Sequence, residues 1–291
     1  MIRSLYKLTK PAIMLLVVAA GATGAVLEGS LLHEPIRLVL FLLGLYLTGG
    51  SANALNQYFE RAIDARMSRT AGRRPLPTGK LHPWQALVFS IAIGAAGVIL
   101  LATIFNLLTA ILALGVILFY SLFYTLYLKP STDQNIVIGG LAGAMAPVGA
   151  WTAATGGMAM TPWLVFAIIF FWTPPHFWSL ALKFEGDYRR AGYPMLPLTR
   201  GVARTHDLIV GYTIALVSVS LLPLLGGFGW LYALVALPIG LVFLGKTLRA
   251  RRTRRVEDAW AVFRFSIFYL FCVLFALIID RMTDPAVGSI L

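Results

Sequence analysis

The chain has 291 residues, of which 59% are hydrophobic and only 12% are charged. A soluble globular domain carries about a quarter charged residues, so this composition excludes that class and indicates a protein that crosses a membrane several times. The formal net charge of +12 then needs no nucleic-acid partner, because membrane proteins keep lysine and arginine on the cytoplasmic side. Cys272, the single cysteine, lies in an apolar segment and excludes a disulfide framework.

Apolar runs predict nine membrane-spanning helices, since each span needs about 20 apolar residues. In chain order the runs cover 11–27, 38–59, 81–128, 134–182, 208–245 and 261–280, and the third, fourth and fifth runs hold two helices each. Turn signals at 103–106, 155–158 and 226–229 mark the breaks inside the long runs. We expect an all-α protein with a single integral-membrane domain over residues 1–291.

The basic residues predict the orientation of these spans. All of the 24 basic residues except Arg37 and Arg281 fall on one side of the map, which places the N-terminus in the cytoplasm and the C-terminus outside. Two long charged connections, at about 60–82 and 183–207, lie on the cytoplasmic side and carry acidic residues at helix ends. These two connections form the candidate site.

In the first connection Asn56, Glu60 and Asp64 recur every four residues, which places an amide and two carboxylates on one helical face. Such hard oxygen ligands suit Mg²⁺, which prefers carboxylates, waters and substrate phosphates. Four arginines suited to bidentate phosphate recognition follow directly, namely Arg66, Arg69, Arg73 and Arg74. Spacing alone leaves open a plain helix end, whose acids pair with neighbouring arginines.

The second connection repeats this chemistry in the segment LKFEGDYRRAGYPMLP, residues 182–197. Glu185 and Asp187 lie between Lys183 and an arginine pair. Two acidic clusters on one membrane face, each beside cations, suit a metal-bound diphosphate substrate with a long apolar tail.

These residues resemble the motifs of the UbiA-type intramembrane prenyltransferases. Asn56, Glu60 and Asp64, followed by MSRTAGRRPLPTGK, look like the first acidic motif of that superfamily, and Lys183, Asp187 and Tyr188 resemble part of the second. Three further blocks resemble its heme-modifying branch: YTLYLKPSTDQNIVIGGLAGAMAPVGAW (124–151), PPHFWSLALKF (174–184) and DYRRAGYPMLP (187–197).

The resemblance implies Mg²⁺-dependent transfer of a farnesyl group from farnesyl diphosphate to a vinyl group of heme b, with water adding to give heme O. It implies catalytic roles for Asn56, Glu60, Asp64, Lys183 and Asp187, with the same acids and Asn56 as metal ligands. The diphosphate contacts would come from the four arginines, Lys183 and Tyr188. The implied setting is a bacterial inner membrane, where the enzyme serves heme-copper oxidase assembly beside a heme A synthase or an oxidase assembly partner.

The motifs depart from the family pattern in two places. Members commonly carry aspartate where this chain has Glu60, and a further aspartate where it has Ala62. The first change lengthens the arm of a metal ligand, and the second removes a neighbouring charge. Lys183 stands four residues before Asp187, so metal ligation by the second motif depends mainly on Asp187.

Two further polar residues are heme-proximal candidates. His176 lies within a span about two turns before Lys183, and intramembrane ionisable groups are commonly functional, although a buried core histidine is the alternative. Asn135 could line a porphyrin pocket or simply cap a helix. The small residues Gly139, Gly143, Ala146 and Gly149 predict close helix packing, and the run RARRTRR at 249–255 favours anionic lipid over nucleic acid.

Two other functions fit parts of the sequence. A prenyltransferase for an aromatic ring in quinone biosynthesis would use both acidic loops but would leave the PPHFW and AGYPMLP blocks unexplained. A secondary transporter of an anionic solute would place its charges near the bilayer midplane, whereas the acids here lie at helix ends.

Overall fold

Nine helices long and apolar enough to cross a membrane occur in residues 1–283, the part of the chain described by this computed structural model. The same residues contain no strand, so the prediction of an all-α protein with nine spans is confirmed. The spans, called the first to the ninth, are Pro11–Glu28, Pro35–Phe59, Pro83–Ile104, Leu107–Ser131, Asn135–Thr155, Met160–Lys183, Leu196–Gly226, Trp230–Thr253 and Val256–Thr283.

Shorter elements join or interrupt these spans. The N-terminal helix Ile2–Leu8 precedes the first span, and a 3₁₀ turn, Ser30–His33, follows it. Short helices occupy the two charged connections, at Arg61–Asp64, Ser68–Ala71 and Glu185–Ala191. A π-helix, Phe119–Leu128, forms the middle of the fourth span, and the fifth span consists of Asn135–Ala144 and Ala146–Thr155.

The predicted breaks between paired spans occur where turn chemistry requires them. Asn106 caps the fourth span, because its side-chain oxygen accepts a hydrogen bond from the Thr109 amide at 2.9 Å. Gly156 and Gly227 end the fifth and seventh spans with φ values of 70° and 86°, a left-handed conformation that glycine adopts without steric cost.

Three span boundaries differ clearly from the prediction. The seventh span begins at Leu196 rather than at 208, with a kink at Gly201, whose φ of 77° is not helical, and the connection before it is shorter than expected. The eighth ends at Thr253 rather than at 245. The ninth begins at Val256 rather than at 261. Hydrophobicity hides both starts, because charged residues interrupt the apolar pattern there: Arg200, Arg204 and Asp207 in the seventh span and Glu257 and Asp258 in the ninth. Pro197 in the first turn of the seventh span is the stronger local signal.

Neighbouring spans along the chain pack side by side, and the ninth span packs against the first, so the nine helices close into a ring. The sixth to ninth spans share a dense core that contains the fully buried rings of Trp178, Tyr232 and Tyr269. The first, second, fourth, fifth, sixth and ninth spans surround a cavity instead. Polar residues of the two charged connections close one end of this cavity.

Candidate active site

A cavity of about 560 Å³ lies inside the ring of helices. Its polar end is lined by Lys10, Asn56, Glu60, Arg74 and Lys129. The rest of its wall is mainly apolar and aromatic and reaches Phe41 and Leu101 near the opposite ends of their spans. A long apolar chamber with charged groups at one end suits a substrate that has an anionic head and an apolar tail.

Asn56, Glu60 and Asp64 lie in succession at the end of the second span, each at most 3% exposed. The helix ends at Phe59, so the three residues do not share one regular helix as predicted. Backbone hydrogen bonds from Glu60 to Asn56 and from Asp64 to Glu60, at 3.0 and 2.8 Å, preserve the four-residue spacing. Asn56 and Glu60 line the cavity, and Asp64 lies behind them.

Three cations surround these oxygen atoms. Lys129 lies 2.5 Å from a Glu60 oxygen, and Arg74 pairs with Asp64 and lies 3.7 Å from the other Glu60 oxygen. Lys10 donates a hydrogen bond of 2.7 Å to the Asn56 side-chain oxygen. Three cations against two carboxylates leave one excess positive charge at a buried position, and an anionic ligand would compensate it.

The electrostatic environment perturbs the pKa values of Lys10, Glu60 and Asp64 at this end of the cavity. Burial and the nearby Arg74 lower the pKa of Lys10 well below its ordinary value. Burial alone would raise the pKa of Glu60, but the charges of Lys129 and Lys10 outweigh it and hold that pKa below the ordinary value. Burial raises the pKa of Asp64 despite its partner Arg74. Perturbed groups clustered at a cavity are typical of a functional site.

Asp187 joins the two charged connections. Its carboxylate accepts hydrogen bonds from the Ser68 amide and hydroxyl and from the Arg69 amide, at 3.1, 2.8 and 2.9 Å, and it pairs with Arg190. Burial would raise the pKa of Asp187, but the hydrogen bonds from Ser68 and Arg69 lower it. Three of these four donors reach Oδ1, and the Arg69 amide is the donor to Oδ2. This geometry makes Asp187 the cap of the helix Ser68–Ala71 and leaves acceptor capacity on Oδ2.

Tyr193 forms a second link between the connections. Its hydroxyl lies 3.3 Å from a Glu60 oxygen, and its ring lies 4.6 Å from the Lys129 ammonium. This contact explains why the AGYPMLP block belongs to the site, although Tyr193 was not among the predicted site residues.

The predicted diphosphate contacts divide into two groups. Arg69, Arg74 and Tyr188 line the cavity, and the Arg69 guanidinium lies 5.6 and 5.8 Å from the rings of Phe184 and Tyr188. The side chains of the other three, Arg66, Arg73 and Lys183, are exposed and do not line the cavity.

The two heme-proximal candidates also separate. His176 lines the cavity, with its ring stacked 4.2 Å from Trp172 and 4.5 Å from Phe263, and its Nδ1 lies 2.7 Å from the Ser266 hydroxyl. Asn135 is fully buried, donates to the Thr132 carbonyl, and is not part of the cavity wall. Asn135 therefore lies at the start of the fifth span, outside the cavity wall.

Small residues of the fifth span create part of the cavity. A Cβ atom added at Gly143 or Gly149 would meet no other atom within 4 Å, and both residues line the chamber. Close packing was predicted for this whole face, and it holds for Gly139, whose added Cβ would lie 2.5 Å from the Tyr124 ring. At Gly143 and Gly149 the missing side chains provide space instead.

The donors suit a hard cation. Among residues 1–283 no group of three or more His, Cys, Asp or Glu side chains is arranged to hold a metal ion. Mg²⁺ does not need such a cage, because it takes one or two carboxylates together with waters and substrate phosphates. Glu60, Asp64 and the Asn56 amide oxygen are donors of the type that Mg²⁺ takes with a diphosphate. In this structure each of them is paired with a cation, namely Lys129, Arg74 and Lys10, so metal ligation would need these pairs to open.

Solved structures share this architecture. A structure of digeranylgeranylglyceryl phosphate synthase matches with a TM-score of 0.79 at 20% identity, covering 97% of this chain and 99% of that one. A UbiA homolog from Archaeoglobus fulgidus bound to DMAPP and Mg²⁺ matches with a TM-score of 0.63 at 17% identity, covering 93% and 99%. At these identities the likeness concerns the fold.

The closed ring of spans, the charged cavity end and the apolar chamber define an intramembrane prenyltransferase. The chain belongs to the UbiA prenyltransferase family, whose profile matches residues 14–274. The protoheme IX farnesyltransferases of Gloeobacter violaceus and Acidiphilium cryptum are 45% and 44% identical to it, over 95% and 94% of this chain and 91% and 89% of theirs. It spans 53% of a longer Roseiflexus relative with the same name, at 40% identity.

Proposed function

We propose that the protein is a heme O synthase, which transfers a farnesyl group from farnesyl diphosphate to a vinyl group of heme b. The observation that carries the proposal is the buried cluster of cations and carboxylates at one end of an apolar cavity. Relatives named protoheme IX farnesyltransferase, at 40 to 45% identity over nearly the whole chain, support the choice of substrates.

The cations of the cavity end receive the diphosphate. Lys10, Arg69, Arg74 and Lys129 bring positive charge from three separate parts of the chain to one place. Charge-assisted hydrogen bonds to phosphate oxygens are about twice as strong as neutral ones, and they hold the leaving group as its negative charge grows. Mg²⁺, when bound through Asn56, Glu60 and Asp64, neutralises further charge on the diphosphate.

The reaction needs no protein nucleophile. The bond between the farnesyl C1 atom and the diphosphate oxygen breaks, the oxygen keeps the electron pair, and the vinyl carbon of heme b attacks the allylic cation. Water then adds to the resulting cation and loses a proton, so that heme b, farnesyl diphosphate and water give heme O, diphosphate and a proton. The apolar cavity wall keeps other water away from the first cation.

His176 is the residue that we place beside the porphyrin. The contact with Ser266 engages its Nδ1, and the stacked rings of Trp172 and Phe263 fix the plane of the imidazole. Only Nε2 stays available to a ligand in the cavity.

We further propose that residues 1–291 form one domain in a bacterial inner membrane, with the active site and the N-terminus on the cytoplasmic side. The near-complete bias of basic residues to the end of the bundle that carries the site supports this orientation. Its product would pass to a heme A synthase or to heme-copper oxidase assembly.

The test is to incubate the purified full chain with heme b, farnesyl diphosphate and Mg²⁺ and to identify the pigments by mass. We expect a pigment heavier than heme b by one farnesyl group and one hydroxyl group. A parallel reaction with 4-hydroxybenzoate in place of heme b tests the aromatic-ring alternative. Prenylation of the benzoate without any farnesylated heme would overturn the proposal.

A further inference from the structure

A second cavity, of about 220 Å³, lies between the N-terminal helix and the connection that precedes the third span. It is lined by Arg3, Ser4, Lys7, Arg73, Pro75 and Lys80, and we call it the basic pocket. It lies at the same end of the bundle as the active site, because Lys7 is close in sequence to Lys10, and Arg73 is next to Arg74.

The cations of the basic pocket lack counter-ions. None of the four cations that line the basic pocket forms an ion pair within 4.0 Å in residues 1–283. The carboxylates that form ion pairs in this part of the chain do so with cations outside the pocket. Arg74 shows the contrast, since it points inward to Asp64 and Glu60 while its neighbour Arg73 faces the pocket. Four positive charges around one small space repel one another, so a phosphate group placed there would be stabilised.

The surroundings of the basic pocket suit a phosphate that carries acyl chains. On the N-terminal helix the apolar residues Ile2 and Tyr6, which are 81% and 55% exposed, directly precede Arg3 and Lys7. Trp84, 63% exposed, follows Lys80 at the start of the third span. Exposed aromatic and apolar side chains beside cations at the end of a span are typical of the membrane interface.

We propose that the basic pocket binds the phosphate group of an anionic phospholipid. The bound headgroup would join the N-terminal helix to the segment that carries Arg74. Gln57 already ties that helix to the second span, because its side-chain amide donates to the Lys7 and Leu8 carbonyls at 3.3 and 2.9 Å. The lipid therefore adds a second tie beside Lys10 and Asn56, outside the cavity that holds the substrates.

The experiment titrates the detergent-solubilised full chain with dioleoylphosphatidylglycerol and counts retained lipids by native mass spectrometry. Separate arms use dioleoylphosphatidylcholine and inorganic phosphate. The variant K7Q/K80Q removes two pocket charges, and K7R/K80R keeps them. The matched control R204Q/R264Q removes two exposed cations that lie outside both the basic pocket and the run at 249–255 and that form no ion pair within residues 1–283.

We expect the wild-type protein to retain phosphatidylglycerol in preference to phosphatidylcholine. At about 5-fold in affinity per interfacial cation, K7Q/K80Q should bind it about 25-fold more weakly. K7R/K80R and R204Q/R264Q should bind it as the wild type does. The proposal is overturned if the control loses as much affinity as K7Q/K80Q, if K7R/K80R also loses it, if phosphatidylcholine is retained equally, or if inorganic phosphate binds as tightly as the lipid.

Discussion

Replacement of Asp187 by asparagine distinguishes between two roles of this residue, as a metal ligand or as a helix cap. The aspartate holds Ser68 and Arg69 from across the site, with Ser68 and Arg190 on Oδ1 and the Arg69 amide on Oδ2. Asparagine keeps one acceptor oxygen and places an NH₂ group where the second oxygen was. One of the backbone donors of the helix Ser68–Ala71 then loses its partner.

The size of the effect follows from these bonds. A hydrogen bond to a charged group contributes about 1.5–3 kcal/mol, and losing an N-cap costs about 0.5–2 kcal/mol. A loss of about 2 kcal/mol raises about 30-fold the fraction of molecules in which the first connection is detached from residue 187. Because Arg69 and Arg74 depend on that connection, we expect kcat/KM for farnesyl diphosphate to fall about 10- to 100-fold.

The Mg²⁺ dependence of turnover is the decisive assay. We expect the half-saturating Mg²⁺ concentration of D187N to stay near the wild-type value, whereas E60Q should raise it strongly because Glu60 lines the cavity beside the diphosphate cations. Hydrogen exchange should show faster opening of residues 64–75 in D187N. If D187N instead shifts the Mg²⁺ requirement as much as E60Q does, Asp187 is a metal ligand and our assignment is wrong.

Four further predictions concern the cavity. D64A should abolish turnover while the protein still folds and inserts, and normal activity would contradict the site. K10M should raise KM for farnesyl diphosphate about 10-fold or more, since a charged hydrogen-bond donor is lost, while R255M serves as a surface control with unchanged KM. G143L should block the chamber and lower turnover, whereas G143A should be tolerated because the space beside Gly143 is empty. H176A should raise KM for heme b and leave KM for farnesyl diphosphate unchanged, and the opposite pattern would remove His176 from the porphyrin side.

Hydrophobicity and turn chemistry were sufficient to predict the spans. Charge-free runs of about 20 residues have few alternatives in a bilayer. Asn106 begins a helix, and Gly156 and Gly227 end helices, for local reasons. The starts of the seventh and ninth spans were missed because charged residues occur near both starts. Hydropathy detects the apolar part of a helix and does not detect the turns that extend beyond the membrane.

The site was predicted in part, since spacing reports only neighbours along one helix. The four-residue spacing identified Asn56, Glu60 and Asp64 as candidates. Lys10 and Lys129 come from distant segments, and their positive charge was attributed only to the orientation of the spans in the membrane. The isolated position of Lys129, the single basic residue of its connection, was the one available signal. The cap that Asp187 forms could not be predicted, because its hydrogen-bond donors, Ser68 and Arg69, lie more than a hundred residues away in the chain.

The most direct measurement quantifies farnesylated heme and released diphosphate in the same reaction of the purified protein. If the buried cluster carries the chemistry, the wild type should form the two products in equal amounts, only with heme b and Mg²⁺ present, and D64A should form neither. Farnesylated heme at the wild-type rate in D64A, or diphosphate release that does not depend on heme b, would contradict the account.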